Sequence, residues 1–250
     1  MDHERERIVD RTAFVTGGGR GIGRAIVERL HRDGWCVRTC GRGPRPGDLD
    51  PGIGWTSADV SDSVTAARLA ESPVDLLVNN AGVQVEKTAM DSTDDDWNFV
   101  MGVNARGVFN LCRAVLPAMT RRGGVIVNIG SISATRSDPS MALYNASKAF
   151  VHGLTRSIAV DHGPKVRCNA VAPGWIVTAM ADDAFALARD PAAAQADAFA
   201  RHPVGRMGRP EDVANIVVWL ASDEAAYVSG QVFTVDGGMT AASPIQPGLF

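Results

Sequence analysis

The sequence has few cysteines, and nothing in their arrangement suggests a metal site or a disulfide framework. The four cysteines of this 250-residue chain include no CxxC pair. The five histidines are scattered, without the spacing of zinc ligands. We therefore expect no metal site and no structural disulfides, as is usual for a protein that works in a reducing, cytoplasmic compartment.

Long apolar runs and a strong net charge are also missing. No segment approaches the roughly 18 consecutive apolar residues of a membrane-spanning helix. The opening MDHERERIVDR lacks the apolar core of a signal peptide. A net charge of -3 suits neither nucleic acid nor an anionic membrane surface, so we expect neither as a partner. A hydrophobic content of 45% argues against disorder.

What the chain does have is an alternation of short β-branched segments with longer helical ones. Ile22, Ile26 and Leu30 recur at intervals of four and predict one face of a first helix. Thr93, with Asp96 three residues later, predicts the start of another helix, which runs through residue 103. Two more helices are predicted at residues 145–160 and 211–220. The predicted strands are residues 13–16, 36–39, 53–56, 75–79, 125–129, 166–170 and 231–234.

This alternation predicts an α/β fold, a single Rossmann-type doubly wound parallel sheet of about seven strands with helices on both faces. Such folds routinely reach about 250 residues, so we interpret residues 1–250 as one domain. Two stretches break the rhythm. Residues 41–54 are rich in Gly and Pro, and no full helix is expected there. Residues 179–202 are rich in Ala and interrupted by Pro191, and we expect a short helical flap over a substrate.

A glycine-rich loop, TGGGRGIG at residues 16–23, lies between the first predicted strand and the first predicted helix. Its glycines would let the backbone turn tightly against a pyrophosphate, to which the helix N-terminus presents N–H groups. The spacing is not GxGxxG, and a simple tight turn is the alternative. The position after a strand and before a helix favours dinucleotide binding.

Further motifs follow this loop in a fixed order. They are NNAG at 79–82, YNASK at 144–148, PG at 173–174 and VDGG at 235–238. Over residues 11–238 the set resembles that of the short-chain dehydrogenase/reductase family. RMGRPED at 206–212 and GQVFTVDGG at 230–238 look most similar to 3-oxoacyl-carrier-protein reductases and their relatives. The resemblance implies hydride transfer between a nicotinamide cofactor and a small carbonyl compound or secondary alcohol, and a homotetramer or homodimer.

Tyr144 and Lys148 are four residues apart and would share one face of a helix. Tyrosine has an ordinary pKa near 10. A neighbouring ammonium and an oxidised nicotinamide both favour the phenolate and would bring this pKa closer to the range useful for acid–base catalysis. The alternative is a tyrosine packed against an aliphatic lysine stem. Ser131 follows a predicted strand, at the edge of the sheet where ligands bind.

The resemblance assigns these residues catalytic roles. It implies that Ser131 hydrogen-bonds the substrate oxygen and that Tyr144 transfers the proton. Lys148 would lower the pKa of Tyr144 and hold the nicotinamide ribose. Asn104 would link Lys148 to a chain of water molecules, or else bond a neighbouring backbone group. Ser133 is expected to be a simple turn serine.

The end of the second strand bears on which nucleotide is bound. NAD-preferring members have Asp at the position of Gly41, and here Arg42 follows it. Arg42 and Arg20 could bind the 2′-phosphate of NADP, although both could also be solvated surface residues. NADP(H) is therefore favoured and NAD(H) remains open. Asp59 resembles the residue that contacts the adenine amino group, or else is a helix N-terminal acid.

The remaining cofactor contacts come from the resemblance. Thr178 would clamp the carboxamide, or cap the flap helix, or both. The substrate pocket is expected from residues 83–86, 134–143, Trp175 and the flap. The full predicted cofactor-binding set is Gly17, Gly19, Arg20, Gly21, Ile22, Gly23, Arg42, Asp59, Val60, Asn80, Ala81, Gly82, Tyr144, Lys148, Pro173, Gly174, Ile176 and Thr178.

The sequence thus predicts an NADP(H)-dependent oxidoreductase that interconverts a carbonyl and a secondary alcohol, with tyrosine as general acid and base. A hydrolase is not expected, because the GxSxG motif is missing. The alternatives are an NAD-dependent alcohol or polyol dehydrogenase of the same fold and a non-catalytic nucleotide-sensing module. The latter would be expected to have lost one of the reacting residues.

Overall fold

Seven parallel strands form the centre of the molecule, in the order β3-β2-β1-β4-β5-β6-β7. The computed structural model describes residues 11–242, so the predicted lack of a signal peptide in the first ten residues lies outside it. The strands are β1 Thr12–Thr16, β2 Cys36–Gly41, β3 Gly54–Ser57, β4 Leu76–Asn79, β5 Gly124–Ile129, β6 Val166–Pro173 and β7 Val232–Val235. All seven predicted strands are confirmed, within a few residues at their ends.

Helices cover both faces of the sheet, as predicted. Their bounds are α1 Gly21–Arg32, α2 Ser63–Leu69, α3 Asp94–Met101, α4 Val108–Arg122, α5 Ala142–His162, α6 Ala179–Ala186, α7 Pro191–Ala200 and α8 Pro210–Ala221. Helices α1 and α8 pack on one face with strand residues such as Val15 and Val78. Helices α2, α4 and α5 pack on the other, with Phe14 and Leu77. Neighbouring strand residues point to opposite faces, so the central strands are apolar throughout.

The start of α3 is where the sequence predicted it, whereas α5 starts earlier than predicted. Thr93 and Asp96 form a reciprocal capping box at the start of α3. Helix α5 begins three residues before the predicted start, at Ala142, which brings Tyr144 into its first turn. Residues 41–54 contain no helix. Pro191 begins α7 instead of interrupting a helix, because proline at the first helical position costs no hydrogen bond.

Thr39 fixes the glycine loop to the second strand. Its buried hydroxyl accepts from the Gly18 N–H at 3.0 Å and donates to the Val15 carbonyl at 2.6 Å. A β-carbon on Gly18 would lie 2.1 Å from Thr39 Oγ1 and 2.6 Å from Val27 Cγ2. Only glycine can therefore bring the loop this close to β2.

This contact gives a stability prediction. In Thr39→Val the side-chain volume is kept, but the buried Gly18 N–H loses its acceptor, which costs about 1–3 kcal/mol. Thr39→Ser keeps the hydroxyl and should lose less of the free energy of unfolding. Urea denaturation of both variants tests this order. An equal or larger loss in Thr39→Ser would show that packing, not the hydrogen bond, holds the loop.

Candidate active site

A cavity of about 460 Å³ opens at the carboxyl ends of the central strands. This is the edge where open α/β sheets bind their ligands. Gly19, Arg42, Asp59, Val60 and Asn104 are not part of its wall. The predicted site residues that do line it are Gly17, Arg20, Gly21, Ile22, Gly23, Asn80, Ala81, Gly82, Ser131, Tyr144, Lys148, Pro173, Gly174, Ile176 and Thr178.

The glycine loop has the features of an anion cradle. Gly17 and Gly21 have φ angles of +69° and +56°, which disfavour any other residue. Helix α1 starts at Gly21 with no side-chain cap, so its first-turn N–H groups are open to a ligand. These donors and the helix dipole fit a pyrophosphate. The exposed Arg20 adds a cation at the same end of the cavity.

The segment that follows β4 is tied to the glycine loop. Thr16 Oγ1 accepts from the N–H groups of Asn80 and Ala81, both at 2.9 Å. Asn80 Nδ2 donates to the carbonyl of Thr16 at 2.9 Å. Asn79 Nδ2 donates to Asn128 Oδ1 on β5 at 2.8 Å. These bonds hold the ends of three strands together and set the backbone that lines the cavity.

Ser131, Tyr144 and Lys148 converge from two elements. Ser131 follows β5, and the other two lie one turn apart on α5. The buried Lys148 Nζ donates to the Ile129 carbonyl at 2.9 Å and lies 5.6 Å from the centre of the Tyr144 ring. Burial lowers the pKa of Lys148 to about 8.

The protonation of Tyr144 differs from the sequence-based expectation. Burial raises the pKa of Tyr144, while its hydrogen bond with Ser131 lowers it and the carboxylate of Asp138 raises it further. In the protein alone the net change in the pKa of Tyr144 is upward, because the loss of solvation outweighs the opposing effect. Tyr144 is therefore protonated at neutral pH, the state needed to give a proton to a developing alkoxide.

Asn104 lies behind the cavity, in a π-helical turn, Gly102–Gly107, that joins α3 to α4. Its Nδ2 donates to the Val83 carbonyl at 2.8 Å and to Ser147 Oγ at 3.0 Å, and its Oδ1 accepts from the Val83 N–H at 2.9 Å. Ser147 donates in turn to the Tyr144 carbonyl at 2.7 Å. Asn104 thus bonds a backbone group, that of Val83 from another part of the chain, and it is linked through Ser147 to the turn that carries Tyr144.

Two residues of the cavity were given no catalytic or binding role in the sequence analysis. Ser133, expected as a turn serine, is buried, and it accepts a hydrogen bond from Ser131 Oγ at 3.0 Å. Ser133 Oγ donates to Asp138 Oδ2 at 2.6 Å. Asp138 lies within the predicted pocket segment 134–143, but no local pattern distinguishes it there. Its place two hydrogen bonds from Ser131 depends on how the loop folds.

The substrate side of the cavity is mostly apolar. Trp175 stacks on Phe185, with 4.7 Å between ring centroids, where the predicted flap meets the cavity. Thr178 caps α6 by accepting from the Ala181 N–H at 3.4 Å, which confirms the capping alternative. Within residues 11–242, the wall on this side includes Gln84, Ile132, Met141, Trp175, Val177, Met180 and Ala184.

Trp55 occupies the place beside the end of β2. A β-carbon on Gly41 would lie 2.7 Å from Trp55 Cη2, and one on Gly19 would lie 3.2 Å from the same atom. The exposed Arg42 lies with its guanidinium 5.7 Å from the centre of the Phe99 ring. No sequence pattern pointed to Trp55.

Asp59 is not a helix N-terminal acid. Its carboxylate accepts from the N–H and hydroxyl of Ser61, while Asp62 caps α2. The described residues hold no group of three His, Cys, Asp or Glu side chains that could bind a metal ion. None of the helices described between residues 11 and 242 is long and apolar enough to cross a membrane.

Comparisons with known proteins match the chain over nearly its whole length. The family model described as enoyl-(acyl carrier protein) reductase matches residues 17–240. The 3-oxoacyl-acyl-carrier-protein reductase of Thermotoga maritima is 35% identical, over 93% of this chain and 99% of its own. The NADP-dependent (R)-specific alcohol dehydrogenase of Lentilactobacillus kefiri is 36% identical, over 94% and 99%.

Solved structures of similar proteins have the same fold as this chain. The ligand-free aldohexose dehydrogenase of Thermoplasma acidophilum superposes with a TM-score of 0.89 at 32% identity, covering 95% of this chain and 96% of that one. A gluconate 5-dehydrogenase from Burkholderia cenocepacia, in complex with NADP and tartrate, gives 0.86 at 30% identity, covering 93% and 96%.

The buried Lys148 predicts how stability depends on pH. Below pH 8 the folded chain keeps a buried ammonium; between pH 8 and 10.5 folded Lys148 is neutral while the unfolded residue still holds its proton. The native chain should therefore gain stability as pH rises through this range, by up to roughly 3 kcal/mol. Lys148→Met should be the more stable protein at pH 7 and lose this advantage by pH 10.

Urea unfolding at the two pH values measures the effect, with Lys165→Met, an exposed site, as control. The prediction is wrong if the free energy of unfolding changes by the same amount between the two pH values in the native protein and in Lys148→Met.

Proposed function

The chain belongs to the short-chain dehydrogenase/reductase family, and we propose that it interconverts a carbonyl compound and a secondary alcohol by hydride transfer with NADP(H). Enzymes of this family act on CH–OH and C=O groups with a nicotinamide cofactor. The observation that carries the proposal is the convergence of Ser131, Tyr144 and Lys148 on a cavity that also contains an uncapped helix N-terminus.

When bound, a nicotinamide cofactor supplies or accepts the hydride. In reduction Tyr144 gives its proton to the substrate oxygen as negative charge develops there. Ser131 turns its hydrogen from Ser133 to the same oxygen and stabilises that charge. Lys148, held at the Ile129 carbonyl, brings a positive charge beside Tyr144 and would stabilise the phenolate that remains once the proton has been given up.

The predicted cofactor contacts divide along the cavity. The glycine loop and the first turn of α1 would bind the pyrophosphate through backbone N–H groups. Asp59 and Val60 would contact the adenine, and the backbone of residues 80–82 would follow the ribose. Four residues would hold the nicotinamide carboxamide: Pro173, Gly174, Ile176 and Thr178.

NADP(H) is the proposed cofactor because the end of β2 lacks an acid and carries a base. Arg42 and Arg20 would meet the 2′-phosphate, to which arginine offers a planar fork of donors. An NAD-dependent alcohol or polyol dehydrogenase is the alternative, and titration with both reduced nucleotides separates the two. A nucleotide-sensing module is less favoured, since all four reacting residues are present.

We further propose that the chain works as one dinucleotide-binding and catalytic domain, with residues 179–202 as its substrate flap. A homotetramer or homodimer in the cytoplasm is expected. Phe109 on α4 and Phe150 on α5 are exposed in the single chain, which supports burial of these helices between subunits.

Tyr144→Phe should lower kcat by about 10²–10⁴-fold, because the proton donor is lost, while binding of NADPH persists. The second tyrosine, Tyr227, is fully exposed, so Tyr227→Phe is the matched control and should keep its activity. Cofactor oxidation is followed with ketones, acyl thioesters and quinones, and with an enoyl thioester to test C=C reduction. Undiminished ketone reduction by Tyr144→Phe would disprove the mechanism.

The contact between Gly41 and Trp55 predicts how the cofactor preference can be changed. An acid at position 41 could bond the ribose 2′-OH of NAD, but its β-carbon would collide with the Trp55 ring. Gly41→Asp alone should therefore bind both nucleotides more weakly than the native chain. Adding Trp55→Ala should give a protein that binds NADH more tightly than the native chain does.

Fluorescence titration with NADH and NADPH tests this, with Trp55→Ala alone as control. If Gly41→Asp by itself gained affinity for NADH, the steric role of Trp55 would be wrong.

A further inference from the structure

An acidic side chain lies beside the reacting groups of the cavity. Asp138 is half-buried in the cavity wall, and its Oδ2 accepts from Ser133 Oγ at 2.6 Å. Ser133 accepts in turn from Ser131, which connects the Ser131 hydroxyl to the carboxylate through one intervening hydroxyl. The negative charge is thus two hydrogen bonds from the hydroxyl that would meet the substrate oxygen.

This charge works against the proposed reduction. A negative charge develops on the substrate oxygen during hydride transfer, and a nearby carboxylate raises its energy. The same carboxylate raises the pKa of Tyr144. Because Asp138 makes the proposed reduction harder, we expect its carboxylate to have a favourable interaction with another part of the substrate.

No cation of the described chain neutralises Asp138. Arg20 and Lys148 are the basic residues of the described cavity wall, and they lie at the glycine loop and at the Ile129 carbonyl. Arg136, from the loop of Asp138, is exposed and donates to the Thr240 carbonyl at 3.5 Å.

The helix that forms part of the cavity wall carries two further carboxylates. Helix α6 contributes Met180 and Ala184 to the wall and carries the exposed Asp182 and Asp183, with no basic residue in its sequence. Charges of one sign around a cleft raise the local concentration of ligands of the opposite sign.

We infer that Asp138 selects the substrate by charge. The preferred substrates are ketones with a positively charged nitrogen two bonds from the carbonyl carbon, and carboxylates at that position are disfavoured. The inference rests on the proposed function, because it concerns the same cavity and the same reacting oxygen.

Three ketones of similar size test the inference. Neopentyl methyl ketone is neutral, acetonyltrimethylammonium has the same shape with a permanent positive charge, and acetoacetate is negative. For the native enzyme we expect kcat/KM to fall in the order cation, neutral ketone, anion, by about tenfold or more at each step.

Variants separate charge from intrinsic reactivity of the ketones. Asp138→Asn should lower the cation-to-neutral ratio of kcat/KM by about tenfold or more, whereas Asp138→Glu keeps the charge and should keep the order. Asp161→Asn removes an exposed carboxylate at the far end of α5 and should leave the ratio unchanged. An Asp138→Asn ratio equal to the native one overturns the inference.

Calorimetric binding of the same probes removes the dependence on turnover. If the native protein binds the cation more tightly than the other probes and Asp138→Asn does not, the charge selection is supported. If in addition no probe is reduced, the charge selection still stands and the proposed reaction is wrong. Reduction of all three probes without a charge order leaves the reaction standing and overturns the selection. Failure of the native protein to bind the cation also overturns it.

Discussion

The carboxyl ends of parallel strands bring polar groups that the sheet itself does not hydrogen-bond to one edge. In this chain several of these groups hydrogen-bond one another. Thr16 takes the N–H groups of Asn80 and Ala81, while Asn79 bonds Asn128 across to the next strand. Asn128 then donates to Thr155 on α5 at 2.9 Å. The helix that carries the tyrosine and lysine is therefore tied to the same network that holds the glycine loop.

Enclosure of this edge changes the acid–base chemistry of what lies on it. Loss of solvation disfavours whichever form of a side chain is charged, so it raises the pKa of Tyr144 and lowers that of Lys148. At neutral pH both side chains hold their protons, and the buried ammonium of Lys148 gives its proton up more readily than a solvated lysine would. The fold thus stabilises a protonated Tyr144 before any ligand binds, and a bound cofactor has to act on that starting state.

Local patterns predicted the seven strands and several of the helices, but not α2 or α4. The seven strands and the pair Tyr144 and Lys148 follow from runs and spacings within about ten residues. The early start of α5 depends on a backbone bond from Ala142 to Lys87, and the placement of Trp55 over Gly41 depends on strand pairing. Ser133 and Asp138 are near in sequence, but an irregular loop sets their geometry.

The two ends of the cavity carry opposite charge, a feature that a net charge of -3 conceals. Arg20 lines the end where a phosphorylated nucleotide would lie, and Asp138 lines the wall beside the reacting groups. A polar cleft of this kind orients its ligands, because an anionic nucleotide reversed in the cavity would meet carboxylates. The cavity could then direct cofactor and substrate to different ends without a conformational change, because an apolar wall separates its two charged ends.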